Sequence, residues 1–498
     1  MKTKLTLSLF DMHIYVSANY RIINMNPLKK GLVFALMTGA AAGNMICEGR
    51  ELPSDFNNNG LMRPEIVSDK QGDDTADDTR WWQRFGDEIL DSLVIIATER
   101  NYNLSMALRQ VAIARQGVTS AKSGYYPQFD VSAGWTRTRE SGAIADRHGA
   151  ANVASYWNGG ATMSWEVDLF GKVTAAVKQS KTQVRLSRAE SAAAAISLQA
   201  EVATAYVNLR MYQAEMEVAE THAENQLKVV KITEARHKAG LASMLDVAQA
   251  KTVYHSTVAS IPLLETSIRR TINSLGVLLA ENPNDLYAKL EQPGKRLDYN
   301  QIVVSSISLD LINRRPDVVA ARENVALAAD AVGIAKKDYL PSFTINGSIG
   351  TSAHNASDIF ARNSITYSVA PTLSWTLFDG FARKSANAEA KLRLESEVDS
   401  YNLTVINAVT EADNALVAYR NDLEYMESLH EVVEQSNQTL DLSVDLYKRG
   451  LSAFSNVVDA QLNVLEYQNS LIVAKGDALV SLINLYKAVG GGWINDIE

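Results

Sequence analysis

One cysteine, Cys47, in a chain of 498 residues excludes any disulfide within the chain. The seven histidines, at positions 13, 148, 222, 237, 255, 354 and 430, never fall at metal-ligand spacing, and no HExxH or CxxC pair occurs. A phosphate-cradling glycine loop is missing as well. Lysine and arginine total 48 against 57 acidic residues, a net charge of -9 with no basic cluster, which argues against a nucleic-acid surface. The sequence therefore offers no catalytic constellation, no metal site and no cofactor site, and it reads as something other than an enzyme. Glycine and proline are also missing, and here the absence is local: neither occurs from Phe381 to Arg449, nor from Lys172 to Ala239.

Those two runs organise the chain. Read as single helices at ~1.5 Å per residue, each would be roughly 100 Å long, far beyond the usual globular length, which points to a coiled coil or a helical repeat. Each ends in basic residues followed by Gly-Leu, at Gly240-Leu241 and Gly450-Leu451. Trp165 precedes Gly240 by 75 residues, and Trp375 precedes Gly450 by 75. The chain reads as an internal duplication, with residues 81–290 as the first repeat, 291–303 as a connector and 304–498 as the second repeat with a C-terminal segment.

Ahead of the repeats, residues 1–46 form a leader region. Within it, residues 25–46 have a basic start at Lys29 and Lys30, an apolar stretch from Leu32 and a small-residue tail, the layout of a bacterial export signal, so Met1 to Asn24 reads as a misplaced start. Cys47 stands where a lipidated cysteine would, although Ile46 replaces the small residue such processing prefers; cleavage near Ala40–Ala42 is the competing reading. Residues 47–80 are polar and read as an extended segment. From Trp81 the apolar residues recur at three-and-four spacing, predicting a helix to about Gly124.

Around each long run the period changes to two. Residues 127–136, 157–169, 342–349 and 365–377 alternate apolar with polar side chains, as strands with one apolar face do. Each is ~10 residues, long enough to cross a membrane as a tilted barrel strand, and Tyr126, Trp157, Tyr367 and Trp375 stand at the ends of the apolar faces like an interfacial girdle. A membrane sheet must close, and the smallest single-chain barrels need about eight strands. One chain supplies four, so the barrel is expected to be shared, three copies giving twelve.

Six motifs, WWQRFGDEILDSLV (81–94), SWEVDLFGK (164–172), INRRPDVVAARENV (312–325), YLPSFTINGSIG (339–350), SWTLFDG (374–380) and YKAVGGGW (486–493), stand in this order. In them the chain closely resembles the TolC/NodT type of outer-membrane efflux protein, the outer-membrane channel of RND-type tripartite pumps. The resemblance implies an α+β membrane protein: a trimeric twelve-stranded β-barrel in the outer membrane, four strands per chain, continued by a long α-helical barrel in the periplasm, with an internal two-fold structural repeat. It implies a homotrimer in outer-membrane lipid, with a periplasmic adaptor protein and an inner-membrane transporter of the RND type as partners and no nucleic acid. Gly240, Leu241, Gly450 and Leu451 would then be adaptor-docking hairpin tips. Asp459, nine residues after the second tip glycine, would be a pore-closing acid, with Asn456 at a second gate position that is acidic in some relatives. Val458, Leu462 and Leu465 are expected to face neighbouring helices, turning Asp459 toward the axis. The competing architecture is an elongated periplasmic coiled-coil scaffold without a pore, which carbonate extraction of membranes would release.

Overall fold

The computed structural model describes residues 78–139, 153–291 and 312–491. The expectations for the leader, for Cys47 and for nearly all of the 291–303 connector lie outside the described residues. The chain opens on a 3-10 segment, Asp78–Phe85, followed by α1 (Glu88–Arg100) and α2 (Tyr102–Ser123). Strands β1 (Gln128–Arg139) and β2 (Val153–Val167) lead into α3 (Lys172–Lys238), α4 (Met244–Leu279) and α5 (Pro283–Leu290). The second half follows the same order: α6 (Pro316–Lys337), β3 (Ser342–Ala353), β4 (Ile365–Ser374), α7 (Ala382–Lys448) and α8 (Phe454–Ala488). Three pairs of corresponding elements match in length: α2 and α6 have 22 residues each, β1 and β3 have 12, and α3 and α7 have 67, whereas β2 has 15 and β4 has 10.

The four strands form one antiparallel sheet in the order β1-β2-β3-β4. Period-two alternation survives the pairing because opposed residues share a face: Trp135 pairs with Trp157, Ala161 with Ile349, and Ile349 with Tyr367. Strand β4 stops at Ser374, so Trp375 and Leu377 leave the sheet, contrary to the expected strand end. The Trp375 indole donates instead to the carbonyl of Tyr339 at 3.0 Å, and in the first half Trp165 donates to that of Tyr125 at 3.2 Å.

The single helix expected from Trp81 to Gly124 is broken twice. Gly86 takes a left-handed backbone (φ 63), which a glycine adopts without steric cost, and Asp87 then caps α1 by accepting from the amides of Ile89 and Leu90. Asn101 ends α1 and restarts the chain by accepting from the Leu104 amide at 3.0 Å. Helix α4 runs without interruption from Met244 to Leu279, with Pro262 inside it.

Helix α3 is the centre of the packing, in contact with α1, α2, α4, α6 and α8. It buries 22 residues, whereas α7, of equal length, buries six. Much of α7 is therefore unpartnered in the single chain, including Leu392, Leu403, Val417, Tyr425 and Leu442. The largest core gathers Trp81, Leu90, Tyr206, Ile272, Leu279, Leu286 and Ile483, with the Trp81 indole stacked on Tyr486 at 5.3 Å. One buried polar chain crosses it. The Tyr206 hydroxyl donates to Asp87 at 2.6 Å, Arg210 donates to that hydroxyl at 2.8 and 2.9 Å and to Gln213 Oε1 at 2.8 Å, and Gln213 donates to the carbonyl of Leu290 at 2.7 Å. Burial, and then the bond to Asp87, push the Tyr206 hydroxyl well above the ordinary phenol range, so it stays a donor.

Asp87→Ala removes a helix cap and the acceptor of a buried hydroxyl, and should cost about 2–4 kcal/mol. Chemical unfolding of detergent-purified protein measures this, and an unchanged midpoint would contradict the network's role. Burial also raises the pKa of Glu215. A carboxyl with a folded pKa above its unfolded value costs nothing below the unfolded pKa and destabilises above the folded one. Glu215→Gln should therefore raise the thermal midpoint at neutral pH, with the gain fading as pH falls through the carboxylate range.

Candidate channel wall and helix-tip site

The sheet presents one apolar face: Phe129, Val131, Ala133 and Trp135 on β1, Trp157, Ala161, Met163 and Trp165 on β2, Ile345 and Ile349 on β3, and Ile365, Tyr367 and Val369 on β4. Most of these side chains are exposed, Val131 at 84% and Tyr367 at 82%, so the face has no cover among the described residues. Its reverse carries Asp130, Ser132, Thr162, Ser164, Thr344, Ser348, Ser368 and Thr372, with the hydroxyls of Ser348 and Ser368 paired at 2.8 Å. Such a sheet can separate hydrocarbon from water. Among the described residues the outer edges of β1 and β4 are unpaired.

A collar of capping contacts joins the sheet to the long helices. Asp168 accepts from the amides of Val173 (2.8 Å) and Thr174 (2.9 Å) at the start of α3, and Asp379 accepts from Arg383 Nε at 2.6 Å at the start of α7. The chain turns into these helices through left-handed residues, Gly171 (φ 72) and Phe381 (φ 73). For phenylalanine that geometry costs roughly 1–2 kcal/mol. Lys337 Nζ donates to the Phe170 carbonyl at 2.8 Å, and Lys172 pairs with Asp338 at 2.8 Å, so α6 is tied to both collar and helix.

At the far ends, Gly240 (φ 72) and Gly450 (φ 75) take the left-handed cap position. Leu241 N–H bonds the Arg236 carbonyl and Gly240 N–H that of His237, while Leu451 and Gly450 repeat the pattern on Leu446 and Tyr447. This pair of bonds is the Schellman ending of a helix, and it makes each tip rigid. A Cβ at either glycine would meet open space, so it is the backbone angle that demands glycine there. Leu241 and Leu451 project from the turns, 67% and 72% exposed.

The two tips are joined. Arg236 Nη1 donates to the carbonyl of Lys448 at 2.9 Å, and the guanidinium lies 4.9 Å over the ring of Tyr447. Beneath it, Tyr447, Phe454, Val457, Val230 and Ala250 form a small buried cluster. The Arg236 tie was not foreseen; its only trace in the sequence is a basic residue four before one tip glycine and a tyrosine three before the other. The tips differ in how their returning helices begin. Ser243 and Asp246 make a reciprocal capping box on α4, whereas Ala453 gives α8 no side-chain cap and Asn456 donates to Ser452 Oγ at 2.9 Å.

Of the expected contacts on α8, Val458 packs against the tip cluster, and the fully buried stripe lies beside it. Phe454, Val457, Ala460, Gln461 and Val464 pack inward, while Leu462 is 44% exposed. The aromatic anchor at Phe454 sets the rotation, and Val458, Leu462 and Leu465 fall on the flank. Asp459 and Asn456 are both exposed, three residues apart. Asp459 lies two residues from both Val457 and Gln461, about 200° around the helix from each, so it faces away from the chain's own packing.

Arg236→Ala removes both the carbonyl bond and the ring contact, and should loosen the two tips, read as faster trypsin cleavage at Lys448 and Arg449. Cleavage at the wild-type rate would show that the tie holds nothing.

The sequence profile described as "Outer membrane efflux protein" matches residues 93–281 and 308–491. Nodulation protein T of Rhizobium leguminosarum bv. viciae is 28% identical over 83% of this chain and 84% of its own length. The toluene efflux pump outer membrane protein TtgC of Pseudomonas putida is 26% identical over 86% of this chain and 88% of its own. The crystal structure of the outer membrane protein VceC of Vibrio cholerae superposes with a TM-score of 0.74 at 25% identity, covering 84% of this chain and 99% of that one.

Proposed function

The chain belongs to the outer membrane efflux protein family, and from that premise we propose that it is the passive exit channel of a tripartite export system, three copies closing one twelve-stranded barrel. The observation that carries this reading is the four-stranded sheet with one uncovered apolar face, from which two 67-residue helices hang. Lipid leaves no strand edge unpaired, so β1 of one copy pairs with β4 of the next. The unpartnered face of α7 packs on a neighbouring copy, extending the barrel as a helical tube roughly 100 Å long. The two halves of the chain, which share the order helix, two strands, long helix and returning helix, act as two copies of one structural unit.

The tips at Gly240-Leu241 and Gly450-Leu451 are the contact for a periplasmic adaptor, and an RND-type inner-membrane transporter supplies the energy and chooses the cargo. Rigid turns that present an exposed leucine suit apolar docking. Asp459 faces the axis at the narrow end, where three copies form an acidic ring that draws cations and repels anions, with Asn456 as a neutral position beside it. Its direction away from the chain's own core supports this placement.

Two substitutions test the parts separately. In planar bilayers, Asp459→Ala should reduce cation selectivity and raise conductance; unchanged values would return Asp459 to the outer surface. Leu451→Asp should abolish export while the channel still assembles, and normal export would remove the tip from the docking surface.

A further inference from the structure

The apolar face of the sheet does not end in apolar residues. On β1 the series Phe129, Val131, Ala133, Trp135 continues on the same face with Arg137 and Arg139, both exposed, opposite Ser155 and Val153 of β2. Trp165 and Trp157 mark the two ends of the apolar zone on β2, and eight residues at ~3.3 Å place them ~26 Å apart along the strand. A tilt of ~40° makes that ~20 Å of height, close to the ~25 Å apolar band of such barrels. Arg137 and Arg139 then stand roughly 5 and 10 Å above the tryptophans, at the depth of lipid phosphates rather than of acyl chains or bulk water. An arginine on a lipid-facing surface is costly at mid-bilayer and tolerated at the headgroup level. Two in a row at that level concentrate positive charge on an otherwise apolar wall.

Directly below them the wall is notched. Trp135 and Trp157 lie 6.4 Å apart, and under them an open groove of about 740 Å³ is floored by Ala133 and Gly159 and flanked by Ile349, Ile365 and Phe360. Phe360, from the β3–β4 connection, is 92% exposed beside it. Small residues on the floor with aromatics at the rim leave space the width of an alkyl chain, and Arg137 follows Trp135 by two residues on the same face of β1.

We infer that Arg137, Arg139 and this groove bind a phosphate-bearing lipid of the outer leaflet, the guanidinium groups pairing with phosphate and one acyl chain lying in the notch. The site rests on the reading of the sheet as a barrel wall with its helices on the periplasmic side. Bidentate geometry suits arginine to phosphate, and the apolar groove selects a lipid over free phosphate. Such a lipid would fix the height of the barrel in the membrane from the strand that also forms a subunit edge.

The test compares wild type with Arg137→Gln/Arg139→Gln in detergent, using diphosphoryl lipid A and its dephosphorylated form as probes and native mass spectrometry as the readout. Wild type should hold the phosphorylated lipid more tightly than the double variant by roughly fivefold per arginine, of the order of 25-fold in all. The dephosphorylated lipid should bind both proteins alike, and inorganic phosphate at equal concentration should not displace the lipid. Equal retention of the phosphorylated lipid by both proteins, or its displacement by inorganic phosphate, overturns the site. Carbonate extraction of membranes holding either protein separates the two levels: release from the membrane overturns the barrel reading, whereas an integral protein with equal lipid retention overturns only the lipid site.

Discussion

A strand edge in hydrocarbon has nowhere to place its amide and carbonyl groups, and each unsatisfied group there costs several kcal/mol. The sheet of this chain has two such edges, on β1 and β4, and a single apolar face that nothing among the described residues covers. The need to pair those edges is what the proposed three-copy closure answers, and the remaining architecture hangs from it.

The collar transmits that closure to the helices. Each β-hairpin passes into its long helix through a left-handed residue and an aspartate cap, and α6 is pinned to the same collar by Lys337 and the Lys172–Asp338 pair. Helix α3 then buries itself among five other helices, whereas α7 leaves apolar side chains such as Leu403 and Leu442 exposed. At the other end the helices stop in rigid Schellman turns, tied to each other by Arg236. The first tip is locked by a capping box and the second is not, so a rearrangement at the periplasmic end would cost least in the first turn of α8, the turn that carries Asn456 and leads to Asp459.

Much of this was legible in the sequence, for physical reasons that also explain the failures. Glycine-free and proline-free runs ended by Gly-Leu located α3 and α7 to within a residue or two, because propensity accumulates over 67 positions and a left-handed cap needs glycine. Period-two alternation located the strands and their apolar face. Short-range breaks were missed where a local feature wins: Asp87 and Asn101 cap new helices inside one apolar pattern, and β4 gives way at Ser374 because its partner strand begins at Ser342, with Pro341 opposite the next position. The fully buried stripe of α8 was not picked out because apolar spacing alone admits adjoining stripes, and the packing of Phe454 against Tyr447 centres the buried one beside Val458. Arg236 over Tyr447 joins residues more than 200 positions apart, beyond any pattern in one segment.

Everything rests on strands from several chains closing one wall. Light scattering of protein purified in mild detergent, with the polypeptide mass separated from that of bound detergent, tests this directly. The account predicts a particle of three chains. A well-folded particle of one chain, stable in the same detergent, would contradict it.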